Sequence, residues 1–541
     1  MTGKIKGISG PTVSVDLRGL KLYERVAVGH DMLTGEVVRL EEDRAVVQVY
    51  EDTRGLGIGE PVASTGMPLT VRLGPGLLAG MFDGLQRPLR KLRDDTGPFI
   101  RTGGEIPALD EKTTVNFVPL KKIGDEAAPG EFIGFVEEGR FRHFISGRND
   151  APGRVAWIAD GNVILRDALI RYEDGRDHRA LLEWPVRMPR PYRRKLPPTG
   201  PLVTGQRSID FLFPLSRGGT AILPGGFGTG KTVLQQSIAK FADVDIVVYV
   251  GCGERGNEMA EMIEEFETLK DPRTETELVE RTILVVNTSN MPVAAREASL
   301  YTAATMAEYY RDMGYHVLFL ADSLSRWAEA LREISSSLEE MPGEEGYPTY
   351  LASKLSGFFE RAGVVETLGG RTGSLSMVLS VSPPGGDFTE PVTQACLRTA
   401  GAFLMLDTSL AHRRHYPAIN WFQSYSLYAG DVAVHFGEKV SPEWENLQRR
   451  CREVMREEEA LREVIEIVGV EGLQDSDRLL MQVAERIRSE FLAQNSYTED
   501  AFSPPEQTHS IIKGILDSYD HALEELKLGM GTEEIPKTEK P

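Results

Sequence analysis

The sequence predicts a multidomain α/β protein: a small N-terminal β-barrel, a β-rich insert, a central domain with a mostly parallel sheet, and a helical C-terminal domain. Three observations lead there. The chain has 541 residues, too many for one hydrophobic core, so about three or four domains are expected. Short β-branched runs fill the first 190 residues, whereas from about 200 strand-like runs alternate with helical stretches. After about 437 the pattern turns to long charged helices.

In chain order, residues 1–70 carry "KIKGISGPTVSVDL" and "EDRAVVQVYED", β-branched runs between Gly, Pro and Asp turns, which suggest the barrel. Residues 71–110 are a Gly/Pro-punctuated connector with one helical piece. Strand signals return over 111–190, in "EFIGFVEEGRF" and "GRVAWIAD", as a second β-rich module. The segment "VRMPRPYRRKLPPTGP", from Val186, is expected to be a solvated Pro-rich connection rather than a nucleic-acid arm. Over 191–436, the runs "DIVVYVG", "TILVVNTS", "HVLFLADS" and "LSMVLSVS" alternate with "MAEMIEEFETL" and "AAREASLYTAATMAEYYRDMG", an α/β domain. Residues 437–541 are helical, with Ser441 and Pro442 expected as cap and first helical position. The last dozen residues are polar and expected to be disordered. No repeat of fixed period occurs.

Composition narrows the function classes. Hydrophobic residues are 41% and charged residues 26%, an ordinary globular balance. The net charge of −20 argues against a nucleic-acid groove as the main surface. Cys252, Cys396 and Cys451 are far apart and fit no metal spacing, so a reducing compartment without structural disulfides is expected. No apolar run has the length of a membrane span, and "MTGKIKGISG" has no signal-peptide core. A cytoplasmic chain that reaches a membrane only through partners is the expectation.

The stretch that carries chemistry is Gly225-Gly226-Phe227-Gly228-Thr229-Gly230-Lys231-Thr232, followed by Val233. It fits G-x-x-x-x-G-K-[ST]. Glycines let successive N–H groups curl around phosphate oxygens, and the helix that follows points its positive end at the same oxygens. Lys231 is placed to reach the β- and γ-phosphates of a nucleotide, and the Thr232 hydroxyl to coordinate Mg2+. Glycine is about a tenth of the chain, so chance alone gives this pattern in roughly a few per cent of such sequences. A preceding strand, "TAIL", and a following helix, "VLQQSIAKFA", lower that figure.

A nucleotide hydrolase of this kind also needs a carboxylate that serves Mg2+ through its water shell, and Asp322 ends the run "HVLFLADS". The attacking water needs a base or positioning group. "VVYVGCGERGNEM" offers Glu254, with Arg255 beside it, at the carboxyl end of a strand, where open α/β sheets place their ligands. A glutamate in a glycine turn is more often a solvated surface residue. Arg326, one helical turn past Asp322, aims a further cation at the phosphate, or else is a surface helix arginine.

These stretches, with "LGPGLLAGMFDGLQRPL", "VTGQRSIDFLFPL", "ADSLSRWAEALREIS", "GYPTYLASKLSGFFERAG", "SVSPPGGDFTEPVTQ" and "YPAINWFQSYSLY", resemble the catalytic A subunit of archaeal/vacuolar-type rotary ATPases over nearly the whole chain. The insert at 111–190 is similar to that family's bulge domain, and the central domain to its RecA-like P-loop fold. The resemblance implies that Gly225 to Val233 bind ATP or ADP, that Glu254 polarises the attacking water, that Arg255 and Arg326 contact the terminal phosphate, and that Thr232 and, through water, Asp322 serve Mg2+. It implies that adenine packs on Tyr416, opposite "FLAQNSYTEDAF" near Ser496. From residue type alone Tyr416 reads as a core aromatic. Gly469 to Arg478 match a helix-turn-helix that touches the rotor. Position 226 is Gly where many members have Pro. Position 229 is Thr where eukaryotic vacuolar chains have Cys, so no thiol switch is expected there.

The implied partners are a non-catalytic B subunit in an alternating ring of three A and three B chains, a central rotor shaft, a peripheral stalk and a membrane ion-translocating sector. The implied place is the cytoplasmic face of the cell membrane, in a peripheral position. ATP synthesis or hydrolysis would be coupled to rotation and to proton or sodium transport. A hexameric nucleic-acid translocase, such as a termination-factor helicase, shares the barrel and core, but the charge, insert and helical C-terminus argue against it. Non-catalytic ring subunits lose the phosphate loop, whereas Lys231 and Glu254 are both present here.

Overall fold

The computed structural model describes residues 1–42, 44–97, 103, 106–468 and 473–528. Six antiparallel strands close the N-terminal barrel, in the order Thr2–Ser9, Thr12–Asp16, Ala45–Val49, Leu33–Leu40, Glu24–Val28, Pro61–Pro68. Their β-branched residues face inward: Val13, Val15, Val26, Val28, Val37 and Val47 are all at most 1% exposed. Closure pairs every edge, which a short sheet cannot otherwise do.

The insert folds as two four-stranded sheets. One has the order Glu126–Ala127, Gly153–Ile158, Ala168–Tyr172, Asp177–Arg179. The other has the order Phe141–Ser146, Phe132–Glu138, Thr114–Pro119, Gly161–Ile164. Phe117 and Ile133 from one sheet and Val155 and Ile170 from the other share one core. Apolar residues alternate along these strands because each sheet buries a single face.

The segment after Val186 is largely exposed, as a solvated connection is, yet it is fastened at two points: half-buried Arg187 and buried Arg190 are held in ion pairs. Arg187 Nη2 donates to Glu36 of the barrel at 2.9 Å and to Glu297 at 2.8 Å. Its guanidinium lies against the rings of Tyr23 and Tyr301. Arg190 is 3% exposed. Arg194–Leu196 forms a strand paired with Gly363–Glu366. Tyr23, Glu36, Glu297 and Tyr301 lie more than a hundred residues from Arg187, so local composition could not announce them.

By compactness the chain divides into two units. The first comprises Met1–Pro197, Val244–Pro383 and Asp387–Thr399; the second comprises Pro198–Asp243, Pro384–Gly386 and Ala400–Pro541. The region 191–436 contributes to both. In the first unit, Thr372–Val381, His316–Asp322, Ile246–Cys252, Thr282–Asn287 and Met81–Phe82 run parallel in that order. The strand Ile246–Cys252 is buried at every position, as a parallel strand covered on both faces must be. Helices Gly256–Thr268, Val293–Asp312 and Leu324–Ser337 follow its strands.

In the second unit, Thr220–Pro224 pairs in parallel with Ala402–Phe403 and leads into the helix Lys231–Phe241. Helices Ala429–Lys439, Trp444–Val468, Asp475–Arg486 and Pro505–Lys527 complete it. The helix expected from Pro442 starts later, at Trp444. Ser441 instead caps a turn: its hydroxyl accepts from the Glu443 N–H at 3.3 Å and its carbonyl from the Trp444 N–H at 3.0 Å. Ala429–Lys439 runs through Gly437, where the C-terminal domain was expected to begin. Of the predicted rotor motif, Gly469 to Gly472 lie outside the described residues, as does the polar tail from Met530. The three cysteines are free and buried. No helix among the described residues is long and apolar enough to cross a membrane.

Candidate active site

In the second unit, the strand Thr220–Pro224 is buried from Ala221 on, which fixes where the glycine loop begins. Gly225 bridges Leu406, and a Cβ there would come within 2.7 Å of the Leu406 Cβ and the Thr229 hydroxyl. Only glycine admits so close an approach. Gly228 and Gly230 take φ of +77° and +82°, the left-handed turns that curl the loop. Gly226 is open by contrast, with only the Thr408 side chain 3.9 Å from a built Cβ. That room would admit a side chain at position 226.

The loop is tied to itself. The Thr229 hydroxyl donates to the Gly226 carbonyl at 2.9 Å. Lys231 Nζ donates to the carbonyls of Gly225 at 2.6 Å and Gly226 at 2.8 Å. The ammonium thus spans the mouth of the loop at the start of the helix Lys231–Phe241. Thr232 and Val233 follow in the first turn, both half-buried, and Phe227 projects outward at 85% exposure.

Tyr416 stands beside this loop, 40% exposed rather than in the core. Its ring atom Cε1 would lie 3.4 Å from a Cβ built on Gly230. Its carbonyl accepts from the Gln494 N–H at 2.7 Å, which brings the segment with half-buried Ser496 alongside. Two residues that motif reading missed hold that segment. Arg207, 2% exposed, donates from Nε to the Phe491 carbonyl and from Nη2 to the Ala493 carbonyl, both at 2.7 Å, and pairs with Asp500. Gln494 accepts from the Arg207 N–H and donates to the Gly205 carbonyl.

In the first unit, the ends of two adjacent parallel strands bring Glu254 and Asp322 together; Gly251 is in register with Asp322. Gly253 has φ +74°, and a Cβ on it would lie 2.6 Å from the Cβ of Arg326. This turn packs Glu254 against the helix that bears Arg326, a closeness invisible in sequence. Burial, then the neighbouring Asp322 carboxylate, push the Glu254 carboxyl up to about 7, while the Arg326 charge opposes the shift. Asp322 is 4% exposed and accepts from the Ser380 hydroxyl at 2.5 Å.

Arg255 and Arg326 each sit at the start of a helix and bond the glutamate three residues on, Glu258 at 3.2 Å and Glu329 at 2.9 Å. Their side chains are 65% and 45% exposed. Both are long cations that can exchange a solvated carboxylate for a phosphate. The hydroxyl of Thr232 and the carboxylate of Asp322 are hard oxygen donors, the chemistry that Mg2+ takes while it keeps several waters.

Four stretches match known families. Residues 205–426 match the ATP synthase alpha/beta family, nucleotide-binding domain, and 434–533 the C-terminal domain of V and A type ATP synthase. Residues 5–66 match the beta-barrel domain and 106–187 the barrel-sandwich domain of the alpha/beta subunits. Among curated relatives, the A subunit of the A-type ATP synthase of Methanopyrus kandleri is 53% identical, over 99% of this chain and 92% of that protein. Those of Staphylothermus marinus and Methanosarcina barkeri are each 50% identical over 99% of this chain, covering 91% and 93% of theirs. Among solved structures, the assembled ATPase EscN of the enteropathogenic E. coli type III secretion system shares the fold. Its TM-score is 0.69 at 21% identity, covering 95% of this chain and 100% of that one.

Proposed function

The chain belongs to the family of A subunits of A-type ATP synthases, is a catalytic subunit of a rotary ATP synthase, and from that premise we propose how its residues share the chemistry. The observation that carries the proposal is the glycine loop with Lys231 held across its mouth. Loop N–H groups receive phosphate oxygens, and Lys231 Nζ leaves two neutral carbonyls for the β/γ-phosphates, a stronger charge-assisted bond. Thr232 and, through water, Asp322 hold Mg2+, which neutralises charge on the phosphates when bound. Glu254 in its carboxylate form orients and polarises the attacking water. Arg255 and Arg326 move from Glu258 and Glu329 to the terminal phosphate. Tyr416 offers its exposed ring to adenine, with the Ser496 segment opposite.

As part of a rotary assembly, the chain works in a ring of three A and three B chains, on the cytoplasmic face of the membrane. Shaft, peripheral stalk and ion-translocating sector complete the machine, which couples ATP synthesis or hydrolysis to proton or sodium movement. The test of the site separates binding from chemistry in the assembled ring. Lys231→Ala should weaken Mg-ATP binding and abolish turnover. Glu254→Gln should keep binding within a few-fold and lose turnover by about 10²–10⁴. Near-normal hydrolysis by Glu254→Gln would remove Glu254 from its role.

A further inference from the structure

The turn that carries Glu254 is gripped from two sides. A Cβ built on Gly253 would lie 2.6 Å from the Cβ of Arg326 and 3.0 Å from the Cδ of Arg296. Arg326 has a place in the site already. Arg296, in the first turn of the helix Val293–Asp312, has none.

Arg296 is 8% exposed. Its Nε is buried and has no acceptor, and no carboxylate among the described residues pairs with it. Other buried arginines of the chain are paired: Arg190 with Asp312, Arg207 with Asp500, Arg361 with Glu308. A guanidinium cannot shed its charge, and burying one without a counter-charge costs stability. An apolar side chain of similar length would fill the space at lower cost, so packing alone does not account for an arginine here.

Its contacts converge on the turn. Arg296 Nη2 donates to the Ser289 carbonyl at 3.0 Å. The Ser289 N–H in turn donates to the Glu254 carbonyl at 2.9 Å, and the Gly253 N–H to the Asn287 carbonyl at 2.6 Å. The Cys252 thiol donates to the Arg296 carbonyl at 3.7 Å. Cys252, Gly253 and Glu254 are thus each tied to Arg296, by a direct contact or through the Asn287–Ser289 segment. Gly253, at φ +74°, gives the turn no stiffness of its own, so its neighbours must hold it.

We propose that Arg296 is a positioning residue for the hydrolytic step: it fixes the turn Cys252–Glu254 so that the Glu254 carboxylate keeps its place toward the attacking water. The inference rests on the role proposed above for Glu254. The stem of Arg296 walls the turn at Gly253, and its Nη2 locks the segment that holds the Glu254 carbonyl. Displacing a reacting group by about 1 Å costs on the order of 10²-fold in rate, which is what such a fastening prevents.

The test is a cycle of variants in the assembled ring, read by single-turnover hydrolysis of labelled ATP, by Mg-ATP affinity and by melting. Arg296→Met keeps most of the stem and removes every N–H. It should slow hydrolysis by about 10–10²-fold and leave the Mg-ATP Kd within about threefold. Its Tm should stay within about 2 °C of the parent, because loss of an unpaired buried charge offsets loss of the Ser289 contact. In the Glu254→Gln background the same change should cost less than about twofold, because the group it positions is already gone. Arg296→Gln, shorter and neutral, is read in the same way if the methionine variant does not fold. Parent rate per folded site, with or without a fall in Tm, would overturn the proposal. So would an equal fold-loss in the Glu254→Gln background, which would show that Arg296 does not act through Glu254. Near-normal hydrolysis by Glu254→Gln alone would instead remove the role of Glu254 on which the proposal rests.

Discussion

Burial and the Asp322 carboxylate push the Glu254 carboxyl up to about 7, and two consequences follow from the sign of that shift. Water activation needs the carboxylate, so kcat/KM for ATP hydrolysis should fall below about pH 7 on a one-proton limb; a limb near 4.5 would contradict the environment described for Glu254. The stability consequence runs the other way. An acid with a raised folded pKa contributes stability that is fully present below about 4.5 and is lost as pH rises through about 7. Glu254→Gln, a permanent mimic of the neutral form, should therefore melt above the parent at pH 8, and the gap should close as pH approaches about 4.5. The difference is at most about 3 kcal/mol, reduced because solvent reaches part of the carboxyl. Equal melting at pH 8 would show that Glu254 pays no burial cost. At the adenine side, Tyr416→Ala should weaken nucleotide binding by about 1–2 kcal/mol, or roughly 5–30-fold, and Tyr416→Phe should not, because stacking uses the ring. Titration calorimetry of both variants decides it, and an unchanged Kd for Tyr416→Ala would place adenine elsewhere.

The elements differ in how openly sequence declares them. Runs such as "DIVVYVG" are legible because a parallel strand buried on both faces must be apolar throughout, and glycines at 225, 228 and 230 are legible because their spacing has one mechanical use. The fastening of Arg187 and Arg190 is not, since the carboxylates that hold them, Glu36, Glu297 and Asp312, come from distant segments. Helix starts are similarly masked: Ser441 and Pro442 have the chemistry of a helix start but serve a turn before Trp444. The approach of Gly253 to Arg326 exists only once two strands and a helix have packed. The segment Phe491–Phe502 shows what such packing does for a site. It is nearly without regular structure around Ser496, and its place beside Tyr416 depends on Arg207. Arg207→Met should leave two carbonyls unpaired, destabilise the protein by about 2–4 kcal/mol, and speed amide exchange selectively over Asn495–Phe502. Exchange that rises uniformly over the second unit would show a global rather than a local fastening.

At the scale of the molecule, the function proposed above gives this chain a phosphate loop, a water-polarising glutamate and two arginines for the phosphate, and leaves one contribution to be supplied. Arg255 and Arg326 are assigned to ground-state phosphate contacts, so a further cation is needed where charge develops in the transition state. An arginine reaching in from a neighbouring chain contributes about 10³–10⁵ in rate. The relatives are A subunits of A-type ATP synthases, and in the proposed ring of alternating A and B chains that neighbour would be B. The isolated chain should then bind Mg-ATP yet turn over slowly. The most direct measurement is steady-state ATP hydrolysis by this chain alone, with B, and with B whose phosphate-facing arginine is changed to alanine, each sized under assay conditions. The account predicts a rise of orders of magnitude with B, and assembly without that rise with the altered B; fast multiple-turnover hydrolysis by a demonstrably monomeric chain would contradict it.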